Sequence, residues 1–200
     1  LQDAKQNSDF HHVLQSDFPP VCVSLLQYAH GNEPSHHIAY LYNMLGSPRK
    51  TQYLTQFLLR TMYSTDPDGL IGNEDCGQMS AWYLFSSMGM YPLNPADGRY
   101  HITTPLFART LINIPPSIMN NFSKDITFEI RAIGDHLDGD HTFLYIRRAM
   151  LNDKELSMQA GEFYVHYRDI MSGGILTVEL ETDEKYSNHL NALIRQQTSS

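Results

Sequence analysis

The hydrophobic pattern of this chain changes its period near Pro95, and this change constrains the fold more than any other feature. Before Pro95, apolar residues recur at the three- and four-residue spacing of amphipathic helices. After it, short runs rich in β-branched and aromatic residues alternate with turn formers. The pattern predicts a mixed α and β protein. We expect helical hairpins in residues 1–94, an antiparallel β domain in residues 95–182 and a polar tail in residues 183–200.

Helix and strand boundaries follow from the same patterns. The predicted helices are Val21–His30, His36–Leu45, a segment that starts at Pro48 after the N-cap Ser47 and stops before the turn at residues 66–69, and Cys76–Met88. The predicted strands are Tyr100–Thr104, Thr110–Ile114, Ile126–Ile133, Phe143–Leu151, Glu162–Arg168 and Ile175–Leu180. Paired helices joined by polar turns are typical of an α/α hairpin array or toroid.

Charge and composition exclude some classes of function. The net charge is -8, from 14 basic and 22 acidic residues, which argues against a nucleic-acid surface. No apolar run is long enough to cross a bilayer, and no signal-like segment opens the chain. Because the chain begins at Leu1 rather than Met, we expect a fragment or a processed product. Cys22 and Cys76 are predicted to be buried free thiols, although a disulfide between them stays open.

Two polar turns, each followed by a helical pattern, carry the chemistry. The first opens the segment GNEPSHHIAYLYN (Gly31–Asn43), and the second opens GNEDCGQMSAWYLFSSMGMYP (Gly72–Pro92). Such turns can gather carboxylate and amide oxygens at one point, as a hard metal ion or an activated water requires. The candidate residues are Asn32, Glu33, Asn73, Glu74 and Asp75. We therefore expect one site built at the ends of neighbouring helices.

These two segments, together with YHITTPLFARTLINIP further on, closely resemble three consecutive blocks of the calcium-dependent exo-α-mannosidases of glycoside hydrolase family 92. The order and the spacing of the blocks agree as well. The later phrases YIRRAMLNDKEL and GGIL also resemble C-terminal strands of that family. The resemblance covers about Gly31–Leu180, which is most of the chain.

The resemblance implies a fold, a reaction and roles for the turn residues. The fold is an (α/α)6 barrel packed against β-sandwich material, and the reaction is removal of terminal α-linked mannose with inversion. Asp75 matches the catalytic base of the family. Asn32, Glu33 and Asp75 match metal ligands for Ca²⁺, and Asn32, Glu33, Asn73 and Glu74 match substrate-binding positions. The implied substrates are mannose-containing glycans, and the implied location is secreted or periplasmic.

One part of the family's active site has no counterpart in this sequence. The general acid of the family lies upstream of the first turn, in a stretch that contains Glu and is rich in Trp. Residues 1–30 contain neither Glu nor Trp. The chain therefore resembles the C-terminal part of such an enzyme, which supplies the base and part of the metal site. Its expected partner is the remaining N-terminal part of the enzyme.

Structural alternatives exist for each of these residues. Asn32, Glu33 and Asp75 could serve as helix caps, since polar residues often precede helices. His36 and His37 are adjacent, so their side chains point about 100° apart on a helix and rarely share one zinc ion. The aromatic side chains of Trp82, Tyr83 and Phe85 could form a sugar platform, but an apolar helical stripe is more often core.

Three hypotheses about function remain open at this point. The chain is part of an inverting exo-α-mannosidase, a non-catalytic module that binds calcium or glycan, or a structural fragment of the same fold with a closed pocket. Calcium-dependent binding of mannose would distinguish the non-catalytic binding module from the structural fragment. Turnover with the missing segment supplied separates the first from the second.

Overall fold

The computed structural model describes residues 28–116, 125–134 and 144–182. Its helices are α1 (Leu41–Met44), α2 (Pro48–Thr61), α3 (Gln78–Ser87) and α4 (Tyr167–Ser172), and 3-10 turns occupy Glu33–Ser35, Ile38–Tyr40 and Asp75–Gly77. Its strands are β1 (Met90–Tyr91), β2 (Arg99–Ile102), β3 (Arg109–Ile114), β4 (Ile126–Ile133), β5 (Leu144–Leu151), β6 (Lys154–Glu155), β7 (Tyr164–His166) and β8 (Gly174–Thr182). The prediction of a mixed α and β protein is confirmed.

The predicted helices are matched unevenly. Helix α2 starts at Pro48, as expected, and Ser47 occupies the N-cap position without a side-chain cap. Most of the predicted helix Val21–His30 lies outside the described residues, and its last three residues are not helical. The predicted tail at residues 183–200 also lies outside them.

The predicted helix His36–Leu45 is divided into a 3-10 turn and the short α1. The indole N–H of Trp82 donates a hydrogen bond to the carbonyl oxygen of His36 at 3.2 Å. In an α-helix that carbonyl would accept from the N–H of Tyr40. Here the Tyr40 N–H donates to the His37 carbonyl, three residues back. The tertiary contact with Trp82 thus accounts for the tighter turn.

The eight strands in the described ranges form two sheets. One sheet has the order β1-β2-β7 and the other has the order β3-β4-β8-β5-β6. Strand β8 pairs antiparallel with β5 but parallel with β4, with Phe128 opposite Gly174 and Ile133 opposite Glu179. The prediction of a purely antiparallel β domain is therefore wrong for this pair. The chain leaves for β7 of the other sheet before β8 returns, and this crossover allows the parallel pair.

The predicted strand Glu162–Arg168 is shorter in the structure, because helix α4 begins within it. His166 caps this helix: its side chain accepts from the N–H of Arg168, and the Asp169 carboxylate accepts from the N–H of His166. Such a reciprocal pair satisfies two helix-terminal donors and stops the strand. The two-residue strands β1 and β6 were not predicted.

Each half of the chain has its own core. The core of the helical half includes Tyr40, Tyr53, Leu54, Phe57, Leu58 and Trp82, and Tyr145 of β5 joins it. The core of the sheet half includes Phe128, Ile130, Ile146, Phe163, Leu176 and Val178. The domain boundary near Pro95 stays a prediction.

Two glutamine side chains of α2 join these halves. Gln56 donates to the carbonyl oxygen of Leu144 at 2.8 Å and accepts from the Leu144 N–H at 3.1 Å. Gln52 accepts from the N–H of Ile146 at 2.9 Å. These side chains satisfy main-chain groups on the edge of β5 that faces away from β8. The helix thereby takes the place of a neighbouring strand.

We expect the Gln56→Leu substitution to destabilise the protein. The leucine would fill similar space but leave the buried Leu144 N–H without a partner, at a cost of about 1–3 kcal/mol. Gln159→Leu, at an exposed position, is the matched control and should change stability by less than about 0.5 kcal/mol. Denaturant unfolding measures both. Equal stability of the two variants would contradict the role of Gln56.

Candidate functional site

The two oxygen-rich turns lie against each other at Gly31 and Gly72. A Cβ atom added to Gly72 would lie 2.8 Å from the Cα atom of Gly31 and would also collide with the Gly31 carbonyl oxygen. An added side chain at Gly31 would in turn approach the Ile71 carbonyl oxygen to 3.0 Å. The absence of side chains permits this close backbone approach. The structure thus brings together two segments that lie 41 positions apart in the sequence.

A hydrogen bond between the turns places the two main acidic candidates side by side. Glu33 Oε1 accepts from the backbone N–H of Asp75, with 3.3 Å between nitrogen and oxygen. Glu33 is half-buried, whereas Asn32 and Asp75 are exposed. Within the described part of the chain, the Asp75 carboxylate forms no hydrogen bond or ion pair. Its oxygens are therefore free to bind water or a cation at the surface between the turns.

Glu74 has a different environment from Asp75. Its carboxylate accepts from the backbone N–H of Ser80 at 3.2 Å and from the Ser80 hydroxyl. The Ser80 hydroxyl, followed by backbone N–H groups of the first turn of α3, lowers the pKa of Glu74 below its usual value. Glu74 thus stabilises the start of α3, as an acid at a helix N-terminus does.

The helix-cap alternative for the other candidates finds no support in the side-chain contacts. Asn32 stands at the N-cap of the first 3-10 turn without a side-chain cap, and the N-cap residue of α3 is Gly77. Asn73, the remaining candidate of the second turn, is exposed.

The chain reverses its backbone twist between Asp75 and α3. Cys76 and Gly77 both have left-handed conformations, with φ of 54° and 77°. These two residues end the 3-10 turn and separate Asp75 from the helix that follows. Cys76 is exposed, so the prediction of a buried thiol is wrong for this residue, and Cys22 lies outside the described residues.

Behind the turns, aromatic side chains form a buried cluster with His30 and His36. His36 is 1% exposed, and its Nε2 donates to the carbonyl oxygen of His30 at 2.9 Å. Burial lowers the pKa of His30 from 6.5 to about 3, and the charge of the nearby His36 makes a smaller contribution in the same direction. Burial also lowers the pKa of His36. Both rings are neutral at pH 7, and His36 has no face open to a zinc ion.

Trp82 belongs to this cluster and is fully buried, so it is a core residue and cannot offer a platform to a sugar. Tyr83 and Phe85 are half-buried. Because the indole ring packs edge-on against His30, with ring centroids 4.3 Å apart, it supports the turns from behind.

The oxygen atoms that the turns offer are of the kind that a hard cation binds, but they are too few for a complete coordination shell. No group of three or more His, Cys, Asp and Glu side chains that could hold a metal occurs in the described ranges of the chain. Asn32, Glu33 and Asp75 offer amide and carboxylate oxygens only, the ligands that Ca²⁺ prefers. Calcium takes six to eight oxygens, so these residues would supply part of a shell and other donors would complete it.

Sequence reasoning did not identify His30, Tyr63 and Gln78 as residues of this site. His30 directly precedes the first motif, Tyr63 lies between the two motifs and Gln78 lies inside the second, and their hydrogen bonds reach the turns from the core. The position of His30 next to one motif and of Gln78 within the other was the single available signal in the sequence.

Comparison with known proteins identifies the family of this chain. The family model of the glycosyl hydrolase family 92 catalytic domain matches residues 5–182. A protein of Arthroderma benhamiae, described as an uncharacterized secreted glycosidase, is 27% identical over 169 residues, which are 81% of this chain and 20% of that protein.

Solved structures give the same result. The family GH92 α-mannosidase BT3965 from Bacteroides thetaiotaomicron, in complex with mannoimidazole, has a TM-score of 0.60 and 34% identity over 76% of this chain and 18% of its own. The family GH92 inverting mannosidase BT2199 from the same organism has a TM-score of 0.63 and 34% identity over 80% of this chain and 20% of its own. The glycosyl hydrolase ccman5 shares the fold, with a TM-score of 0.67 at 18% identity, over 88% of this chain and 25% of its own.

The chain spans about a fifth of the length of these relatives. No helix in the described ranges is both long and apolar enough to cross a membrane. The family model covers the two turns, the helices behind them and both sheets. The chain therefore belongs to glycosyl hydrolase family 92 and carries part of its catalytic domain.

Proposed function

We propose that this chain forms part of an inverting, calcium-dependent exo-α-mannosidase that hydrolyses terminal α-linked mannose from glycans. The observation that carries the proposal is the contact of the two turns, which sets Glu33 against the backbone of Asp75 and leaves the Asp75 carboxylate open to solvent. Solved relatives of the family are described as α-mannosidases, and one of them as inverting. The helices α1–α3 would belong to an (α/α)6 barrel completed by other parts of the enzyme.

In this proposal Asp75 is the general base. Its exposed carboxylate would accept a proton from the water that attacks the anomeric carbon. An inverting glycosidase sets its base and its general acid roughly 6.5–9.5 Å apart, so that the water fits between base and sugar. The general acid would come from a part of the enzyme outside this sequence. Asn73 and Glu74 would line the sugar site beside Asp75.

Calcium would be held by Asn32, Glu33 and Asp75, together with oxygens from elsewhere in the enzyme. Calcium held by these residues would supply a positive charge that binds hydroxyl groups of the mannose and favours a distorted ring.

Activity and stereochemistry test the proposal together. A complete family 92 enzyme that carries this segment should release mannose from an α-mannosyl disaccharide. Proton NMR of the first product should show β-mannose before mutarotation, since the reaction inverts the anomeric centre. Chelation should abolish turnover, and added calcium should restore it. Binding of mannose without turnover would instead support a non-catalytic glycan-binding module. Retention of the α-anomer in the first product would refute inversion.

Glu33→Gln should weaken calcium binding. The substitution removes one negative charge and leaves the size of the side chain unchanged, and even residues behind the ligands change metal affinity by about 10–100-fold. We therefore expect a loss of at least about tenfold, measured by isothermal titration. Glu155→Gln is the control, because Glu155 is exposed in β6 and pairs with Arg148 at 3.3 Å. If calcium affinity is the same in Glu33→Gln as in the control, Glu33 is not a ligand.

The expected surroundings of the enzyme follow from one relative. The Arthroderma benhamiae protein is described as secreted. We propose a secreted or periplasmic location, where glycans with terminal mannose are accessible.

A further inference from the structure

A hydrogen-bond chain runs through the core directly behind the first turn. His30 is 3% exposed, and both of its ring nitrogens are used: Nδ1 lies 2.6 Å from the Tyr28 hydroxyl and Nε2 lies 2.6 Å from the Tyr63 hydroxyl. The Tyr63 hydroxyl also lies 3.4 Å from the carbonyl oxygen of Met79 in α3. A carbonyl oxygen can only accept, so Tyr63 donates to Met79. The direction of the two His30 bonds depends on the tautomer of its ring, in which one nitrogen donates and the other accepts.

A second set of bonds fixes the other end of the same turn. His36 Nε2 donates to the His30 carbonyl, so His36 Nδ1 is an acceptor and lies 3.2 Å from the side-chain nitrogen of Gln78. Gln78 also donates to the Tyr91 hydroxyl at 3.2 Å. The indole of Trp82 donates to the His36 carbonyl at 3.2 Å. His30 and His36, which lie on either side of Glu33 in the sequence, are thus both connected to α3.

Packing alone does not require hydrogen-bonding groups in this cluster. The same rings already pack well: His30 and His36 stack at 4.8 Å between centroids, and Tyr63 stacks on Trp82 with only 4° between the ring planes. Phenylalanine at position 63 would fill the same space. Buried polar groups stabilise a unique arrangement only when all their partners are in place, and here each ring nitrogen of the two histidines has one.

We propose that Tyr63, His30 and Gln78 are positioning residues that fix Glu33 relative to Asp75. This inference rests on the proposed function. Glu33 meets the second turn through one exposed hydrogen bond of 3.3 Å, which is too weak to hold the two acids in register by itself. The rigid connection runs beneath the surface, from His30 through Tyr63 to Met79, and from His36 to Gln78. Residues 78 and 79 follow Asp75 by only three and four positions, so this connection sets the distance between the two acids.

The test compares Tyr63→Phe with Tyr83→Phe in a complete enzyme that carries this segment. Both substitutions remove one hydroxyl from rings that pack together at 4.8 Å, but only the Tyr63 hydroxyl bonds to His30. At saturating calcium and well below the unfolding temperature, Tyr63→Phe should lower kcat by about 10–100-fold with a smaller change in KM, because a misplacement of 1 Å can cost about 10²-fold. Tyr83→Phe should keep normal kcat.

Hydrogen exchange supplies a readout that does not depend on activity. The Asp75 N–H is protected by Glu33, so the peptide that contains it should exchange about tenfold faster in Tyr63→Phe and in Gln78→Leu than in wild type or Tyr83→Phe. If exchange and kcat in Tyr63→Phe both equal those of the control, the residue only packs and the inference is wrong. If wild type releases no mannose but the exchange difference appears, the proposed function fails while the positioning role stands.

Discussion

Asp75→Asn is expected to lower kcat by roughly 10²–10⁴-fold, the contribution typical of a general base. The amide is nearly the same size as the carboxylate but cannot accept a proton from water. The backbone N–H of residue 75 would still donate to Glu33. Because the start of α3 is stabilised by Glu74 rather than by Asp75, we expect little change in stability.

The experiment measures kcat, the thermal midpoint and the calcium content on the same samples of the complete enzyme. Asp68→Asn is the matched control, since Asp68 is an exposed acid in the nearby turn and belongs to no part of the proposed site. Near-normal turnover in Asp75→Asn would exclude Asp75 as the base and make Glu74 the next candidate. Parallel loss of calcium and turnover would show that Asp75 is a metal ligand first.

Gly72→Ala is expected to separate the two turns. The added methyl group would collide with the backbone of Gly31, and neither backbone can move aside as a flexible side chain does. A shift of about 1 Å between Glu33 and Asp75 should cost about 10²-fold in kcat. Calcium affinity should fall with it, because the proposed ligands lie on both turns.

Gly77→Ala is the control for this prediction. Gly77 also lies in the second motif and has φ of 77°, yet nothing lies within 4 Å of an added Cβ atom. Alanine at that position should cost about 1–2 kcal/mol of backbone strain while the contact between the turns stays intact. Steady-state kinetics and thermal unfolding of the two variants measure the difference. Equal kcat in both would show that the contact between Gly31 and Gly72 is not needed for turnover.

The sequence was sufficient for features that depend on neighbours in the chain. The period of the apolar residues predicted helix α2 from Pro48 and strand β4 at Ile126–Ile133, because the spacing of apolar side chains along the chain favours one type of element over the other. The residue types of the two turns indicated oxygen chemistry, since carboxylates and amides keep that chemistry in any fold. The length and order of the motifs were enough to indicate the family.

The tertiary structure alone decided what depends on residues far apart in the sequence. Nothing local shows that β8 enters between β4 and β5, or that Trp82 takes the carbonyl of His36 and tightens the helix there. The division of labour between two adjacent acids was also decided in three dimensions. The Glu74 carboxylate accepts hydrogen bonds from Ser80, whereas the Asp75 carboxylate stays exposed to solvent beside Glu33. A carboxylate's role depends on which donors the fold places near it, and those donors come from other segments of the chain.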